Sequence, residues 1–205
     1  MTARLILVCH ASTDAVRHFA FPADEPIDSF GRESAAVLAA HLPRSARCWA
    51  SPEQRTRQTA EALKLDAAPL LALRDCDYGA WTGSKFDEIL ARDGDAVSKW
   101  LRDVDAAPPG GESMSGVMRR VADWLDDEIA FSGQSIIVTH AAIIRAAIIH
   151  AIQAAPASFW RIDIAPLSIT RLSGMEGRWN LTCAGCMALE RFPAELNRGF
   201  PIVCE

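Results

Sequence analysis

The chain has 205 residues, half of them hydrophobic and 23% charged, enough for one well-filled domain and short for two. A formal net charge of −5 speaks against a nucleic-acid surface, which needs basic groups to neutralise phosphates, but is compatible with a local positive pocket. No apolar run reaches the ~20 residues of a membrane helix; the longest, residues 136–152, is interrupted by Thr139, His140, Arg145 and His150.

In chain order, residues 4–9 (RLILVC) read as a short buried strand that runs into His10. This run is too short for an export signal and no small-residue cleavage site follows it, which points to the cytoplasm. Apolar residues at helical spacing place a helix over 29–41 after a cap at Asp28. Residues 46–50 form a second strand, and a second helix runs to Leu63 with Ser51 as its cap and Pro52 in its first position. Residues 70–73 suggest a third strand, 78–83 (YGAWTG) a turn, and 85–100 one or two helices. Pro108-Pro109-Gly110-Gly111 is a loop that leads into an amphipathic helix through Val117, Val121, Trp124, Leu125 and Ile129. Residues 135–139 (SIIVT) are a buried strand ending on His140, and 141–152 a helix. Segments 162–164, 168–172 and 179–182 read as edge strands, and the chain from 187 to 205 as a tail behind a domain of residues 1–186.

Strands alternating with helices imply a three-layer α/β/α domain with a mostly parallel sheet, in which ligands bind at the carboxyl ends of the strands. His10 and His140 both fall there, and Arg55 falls at a third such junction. The six cysteines are scattered. Only Cys183 and Cys186 have metal or redox spacing, no further ligands complete a zinc site, and free thiols are expected.

Four segments carry chemistry together: Leu5–His10 with Ala11-Ser12-Thr13; Ser51-Pro52-Glu53-Gln54-Arg55-Thr56-Arg57-Gln58-Thr59-Ala60; Leu73-Arg74-Asp75 followed by Pro109-Gly110-Gly111-Glu112-Ser113; and Val138-Thr139-His140-Ala141. In this order, over about residues 4–182, they resemble the histidine phosphatase superfamily, with its phosphoglycerate-mutase-like fold. The resemblance implies a phosphomonoesterase in which His10 attacks phosphorus and becomes phosphohistidine, which water then hydrolyses. Arg55 matches the pocket arginine, suited to phosphate by its planar guanidinium. His140 matches the second, phosphate-binding histidine, and the Ala141 N–H adds a donor at a helix start. Asp75 stands where the family has a glutamic acid as proton donor; it is one methylene shorter, and Asp77 is the fallback. Thr13 fits a supporting hydroxyl, and Trp81 a pocket wall. No metal or organic cofactor is implied. The partner is a small phosphorylated substrate or inorganic phosphate, not nucleic acid or membrane, and the oligomeric state stays open.

The family's Arg-His signature here reads Cys9-His10. Charge-assisted hydrogen bonds contribute about 1.5–3 kcal/mol each, so the loss of one or two weakens transition-state stabilisation roughly ten- to ten-thousand-fold unless another cation compensates. Arg17, seven residues past His10, is the preferred replacement; Arg57 and Arg145 also lie near the matched motifs. Cys9 itself reads as a small core residue rather than a reactive thiol. The leading function is therefore a phosphatase. The alternative is a degenerate member that binds a phosphorylated ligand or a partner with little turnover. A mutase ranks below both, since only 32 residues (76–107) are available for an enclosing lid.

Overall fold

Strand β1 (Ala3–Cys9) buries side chains on both faces, the pattern of a strand inside a covered sheet. Its odd-numbered residues Leu5, Leu7 and Cys9 join one apolar cluster, and Ile6 and Val8 join another. The computed structural model describes residues 2–43, 46–175 and 177–187. It has a six-stranded sheet in the order β3-β2-β4-β1-β5-β6. Strands β1, β2 (Arg47–Ala50), β3 (Ala68–Pro69) and β4 (Gly133–Thr139) are parallel, while β5 (Ile169–Met175) and β6 (Arg178–Cys186) close one edge antiparallel.

A four-residue helix α1 (Asp14–Arg17) follows β1. Helices α2 (Ser29–Leu38) and α3 (Gln54–Ala62) cover the face carrying Ile6, Val8, Ile136 and Val138. Helices α4 (Phe86–Trp100), α5 (Met114–Glu128) and α6 (Ala141–Ile152) cover the opposite face. The stripe Val117, Val121 and Leu125 on α5 is fully buried, each side chain contributing about 1.5–3 kcal/mol. The three-layer, mostly parallel architecture expected from the alternation of segments is the one observed.

Three local expectations are corrected. Helix α3 begins at Gln54 rather than behind a Ser51 cap, because the buried Ser51 hydroxyl is drawn inward to Leu73 O (2.5 Å) and Thr139 Oγ1 (2.8 Å). The third strand lies at residues 68–69, and Leu71–Leu73 coil into a 3-10 turn that drops Leu73 into the core. Residues 162–164 form no strand, whereas the antiparallel pair is longer than expected. Apart from Met187, the suggested tail lies outside the described residues.

The Pro-Gly-Gly loop is clasped to the turn after Asp75. Ala80 N–H donates to Pro109 O (2.9 Å) and Glu112 N–H to Asp77 O (2.7 Å). A Cβ on Gly111 would stand 2.4 Å from Asp77 O, and one on Gly79 (φ +51°) would stand 2.3 Å from Pro109 O. Both contacts meet backbone, which cannot swing aside. Gly111→Ala is therefore expected to lower stability by about 2 kcal/mol or more, read as a shifted urea midpoint, while Gly110→Ala, with no atoms near its Cβ but φ +72°, pays only backbone strain and loses less.

Candidate functional site

The parallel register brings three strand ends to one level. Cys9 pairs with Thr139, and Ala50 with Val138, so His10, His140 and Ser51 leave the sheet side by side. His10 N–H donates to Thr139 O (2.8 Å) and Ser51 N–H to Val138 O (2.9 Å), extending the ladder by one bond on each side. His10 and His140 rings then sit 5.3 Å apart at 61°.

The tautomer of His10 follows from its neighbour. Its Nδ1 lies 2.8 Å from Ala11 O, and a carbonyl only accepts, so Nδ1 carries the hydrogen and Nε2 the lone pair. Burial, with His140 and Arg55 adding repulsion, lowers its pKa from 6.5 to about 3, so the ring is neutral at ordinary pH. The N–H of Ala11 is itself held by Thr59 Oγ1 (2.9 Å), whose hydroxyl donates to Arg55 O (2.7 Å). Thus one threonine of the second segment fixes both the loop after His10 and the helix turn carrying Arg55.

Arg55 is buried (2% exposed) and surrounded by acceptors. Its guanidinium donates to Asp75 Oδ2 (2.6 Å) and Ala23 O (2.7 Å), with Glu25 at 3.9 Å. Asp75 also stands 3.4 Å from His140 Nδ1. Burial works to raise the Asp75 pKa, but His140, Arg55 and the Cys76 N–H outweigh it and hold the carboxyl below its ordinary value. Glu53, likewise depressed against burial by its bond to His140, accepts from His140 Nε2–H (2.8 Å) and from the Asp75 N–H (3.0 Å). With Nε2–H committed to Glu53, the buried Nδ1 of His140 has no hydrogen-bond partner among the described residues.

Glu53 was not singled out in the sequence, although a carboxylate three residues past a strand end and two before Arg55 was a usable signal. The fourth motif residue Glu112 also gains a reason. It takes Arg120 through two bonds (2.9 and 3.0 Å), and that guanidinium donates onward to Ala72 O (2.9 Å) and Asp75 O (3.0 Å). The loop motif therefore sets the backbone of the Asp75 segment from 37 residues away.

A cavity of ≈140 Å³ opens between the histidines, lined by His10, Asp75, His140, Ala141 and Arg145 and walled by aromatic side chains, Tyr78, Trp100, Phe159 and Trp160 among them. Of the suggested residues, His10, Asp75, His140 and Ala141 line this cavity, while Arg55, Cys9, Thr13, Arg17 and Trp81 do not; Arg55 lies behind Asp75, to which its guanidinium donates. Arg17 is half exposed and ion-paired with Asp28 (2.6 Å), a partner that also caps α2 and accepts from Ser12, so it does not line the cavity. Trp81 is fully buried behind the wall, edge-to-face with Trp100 (89°) and tilted against Phe21 (45°), and donates to Asp93 (3.2 Å); Trp100 takes the lining position instead. Thr13 caps α1 through a weak 3.3 Å bond from Val16 N–H. Cys9 is 2% exposed, and burial with Asp75 pushes its thiol up to about 12 against the pull of Arg145 and Arg55, which makes it a core residue and no thiolate. Asp77 is exposed and caps the Gly79 turn (2.9 Å). Cys183 and Cys186, expected as free thiols, are joined in a disulfide; Cys9, Cys48 and Cys76 are free.

The family model of the histidine phosphatase superfamily (branch 1) matches residues 5–186. A bifunctional protein of Mycobacterium tuberculosis (strain ATCC 25618 / H37Rv) is 32% identical over 179 residues, 81% of this chain and 49% of that protein. The chain thus spans about half the length of that relative. Phosphoserine phosphatase 1 of Hydrogenobacter thermophilus is 25% identical over 196 residues, covering 88% of this chain and 93% of the relative. Among solved structures, a mycobacterial glucosyl-3-phosphoglycerate phosphatase superposes with a TM-score of 0.80 at 23% identity, covering 91% of this chain and 100% of the other. That likeness speaks for the fold.

The neutral, buried His10 has a consequence for stability. The unfolded chain binds a proton at this position below pH 6.5, and the folded chain only near pH 3. Stability from this group is therefore complete above pH 6.5 and is lost as the pH falls toward 3. Relative to His10→Asn, the wild type should lose about 2 kcal/mol more between pH 6.5 and about pH 4.5, measured by urea unfolding at each pH; parallel curves would contradict the assigned burial of a neutral ring.

Proposed function

The chain belongs to the histidine phosphatase superfamily, and from that premise we propose that it is a phosphomonoester hydrolase acting on a small phosphorylated metabolite through a phosphohistidine on His10. The observation that carries the proposal is the state of His10. Its Nδ1–H is tied to Ala11 O, leaving a neutral ring with the Nε2 lone pair at the end of a strand, beside His140 and Asp75 in one cavity. That is the arrangement in-line attack on phosphorus needs. The phosphoserine phosphatase among its sequence relatives supports a small phosphorylated substrate.

In this structure Asp75 neutralises Arg55. An arriving phosphate offers the guanidinium a stronger bidentate acceptor. Asp75 then loses its cation and gains a dianionic neighbour, and both changes raise its pKa. Substrate binding thus converts a carboxylate into the acid that the leaving group requires. His10 Nε2 attacks phosphorus, the ester P–O bond breaks, and the Asp75 proton passes to the departing oxygen. Negative charge on the transferring group is met by Arg55, by His140 and by the Ala141 N–H at the start of α6. In the second half, Asp75 takes a proton from water, the resulting oxygen bonds to phosphorus, the Nε2–P bond breaks, and phosphate leaves.

The absence of a guanidinium at position 9 favours a second reading, in which the site binds a phosphorylated ligand and turns it over little. The same experiment separates the two. The wild type is expected to release phosphate from p-nitrophenyl phosphate and to trap an acid-labile, base-stable phosphoenzyme, both abolished in His10→Ala. Asp75→Asn should slow an alkyl phosphate by about 10²–10⁴-fold and p-nitrophenyl phosphate far less, because nitrophenolate leaves without a proton. Phosphate binding by the wild type with no turnover of any monoester would establish the binding reading.

A further inference from the structure

The groups around the two histidines are unevenly charged. Glu25, Glu53 and Asp75 surround Arg55 and His140, and Arg55 is already occupied by Asp75 and a backbone carbonyl. The cavity itself is lined by the Asp75 carboxylate, beside which an anion needs a further cation. The other arginines of the motif segments are turned away from it: Arg17 pairs with Asp28, Arg57 is exposed, Arg74 leans toward Glu112 (3.9 Å), and Arg120 clamps Glu112 and the backbone.

Arg145 differs from all of them. It sits on the second turn of α6, five residues past His140, and lines the same ≈140 Å³ cavity as His10, His140 and Asp75. Its guanidinium lies 5.7 Å from the Phe159 ring centroid, which holds the planar group without neutralising it. Its buried Nε has no hydrogen-bond partner among the described residues. The nearest carboxylate, Asp163, is at 3.8 Å and fully exposed, a separation that leaves little net attraction in water. A buried donor without an acceptor is costly, and here it borders the cavity where an anion is expected.

Its position also answers the departure at residue 9. Cys9 projects from β1 into the cluster that includes Ala142, Ile143, Ala146 and Phe159, the side of the sheet covered by α6. A long basic side chain at position 9 would leave the sheet on that side, toward the region Arg145 reaches from the helix. The short thiol leaves that space to Arg145. We infer that Arg145 is a phosphate-binding residue of this site and supplies, from α6, the second guanidinium that the Cys9-His10 segment lacks. The inference rests on the phosphatase reading for its chemistry, yet it concerns phosphate binding, which is measurable without turnover.

The test is a titration of the purified chain with inorganic phosphate and with orthovanadate, read by the fluorescence of Trp100 and Trp160 in the cavity wall, beside p-nitrophenyl phosphate kinetics. Arg145→Gln is expected to weaken both anions, and to lower kcat/KM, by about ten- to a hundredfold. Arg145→Lys keeps the stem and charge and should recover part of the loss, which also serves if the glutamine variant folds poorly by thermal unfolding. Adding Cys9→Arg to Arg145→Gln should restore anion affinity; failure to restore it in a folded protein refutes the shared position. Anion affinities within twofold of wild type in Arg145→Gln overturn the inference. If turnover depends on His10 but ignores Arg145, the inference fails and the phosphatase reading stands. If anions bind through Arg145 and no monoester is hydrolysed, the inference stands and the phosphatase reading fails. If the wild type neither binds anions nor hydrolyses esters, both fail.

Discussion

Three parallel strands, β2, β4 and β1, end within one residue of each other, and the rest of the site depends on that alignment. The register pairs Ala50 with Val138 and Thr139 with Cys9, and each strand hands over to a polar residue at the moment the ladder stops. Because the sheet is covered on both faces, the groups that leave it there do so at the boundary between a dry interior and solvent. Burial therefore acts on every ionisable group in the cluster. It holds His10 neutral, obliges Arg55 to find carboxylates, and makes each unpaired donor a place where an anion is welcome.

Charge balance in the cluster is kept by the protein itself. Asp75 lies between Arg55 and His140, and Glu53 holds the far nitrogen of His140 while accepting from the Asp75 backbone. Such a network stays ionised only as long as each charge faces its opposite. In the proposed reaction a phosphoryl group entering it exchanges partners rather than adding a charge. That proposed exchange would link binding to the appearance of an acid and reconcile the depressed Asp75 with a role that requires a proton.

The supporting framework lies mostly outside the residues that line the cavity. Glu112 and Arg120 fix the carbonyls of Ala72 and Asp75, the glycines at 79 and 111 let two turns touch backbone to backbone, and Thr59 ties the His10 loop to α3. This gives physical content to motifs that look like strings of letters. The glycine pair is a steric necessity, the glutamate is an ion-pair anchor, and the threonine is a two-way hydrogen bond.

Much of this was legible in one dimension because it is periodic or local. Both-face apolar runs such as RLILVC and SIIVT mark covered strands, the 3.6-residue stripe of α5 marks a helix against them, and strand-to-helix junctions of a parallel sheet put His10, Arg55 and His140 at one edge. What could not be read was the direction of side chains whose partners are far away in sequence. Ser51 looked like a cap until Leu73 and Thr139 claimed its hydroxyl, Arg17 looked free until Asp28 took it, and Trp81 looked like a wall until Trp100 stood in front of it. Glu53 and Arg145 gained their places only through contacts 87 residues away in one case and across a helix in the other. The sequence by itself determined the layers, the strand ends and the types of group gathered there, since those follow from hydrophobic period and chain connectivity. Only the tertiary structure decided which cations are spent on carboxylates and which still face the cavity beside Cys9 and His10, because that depends on distances between groups that the chain's order does not contain.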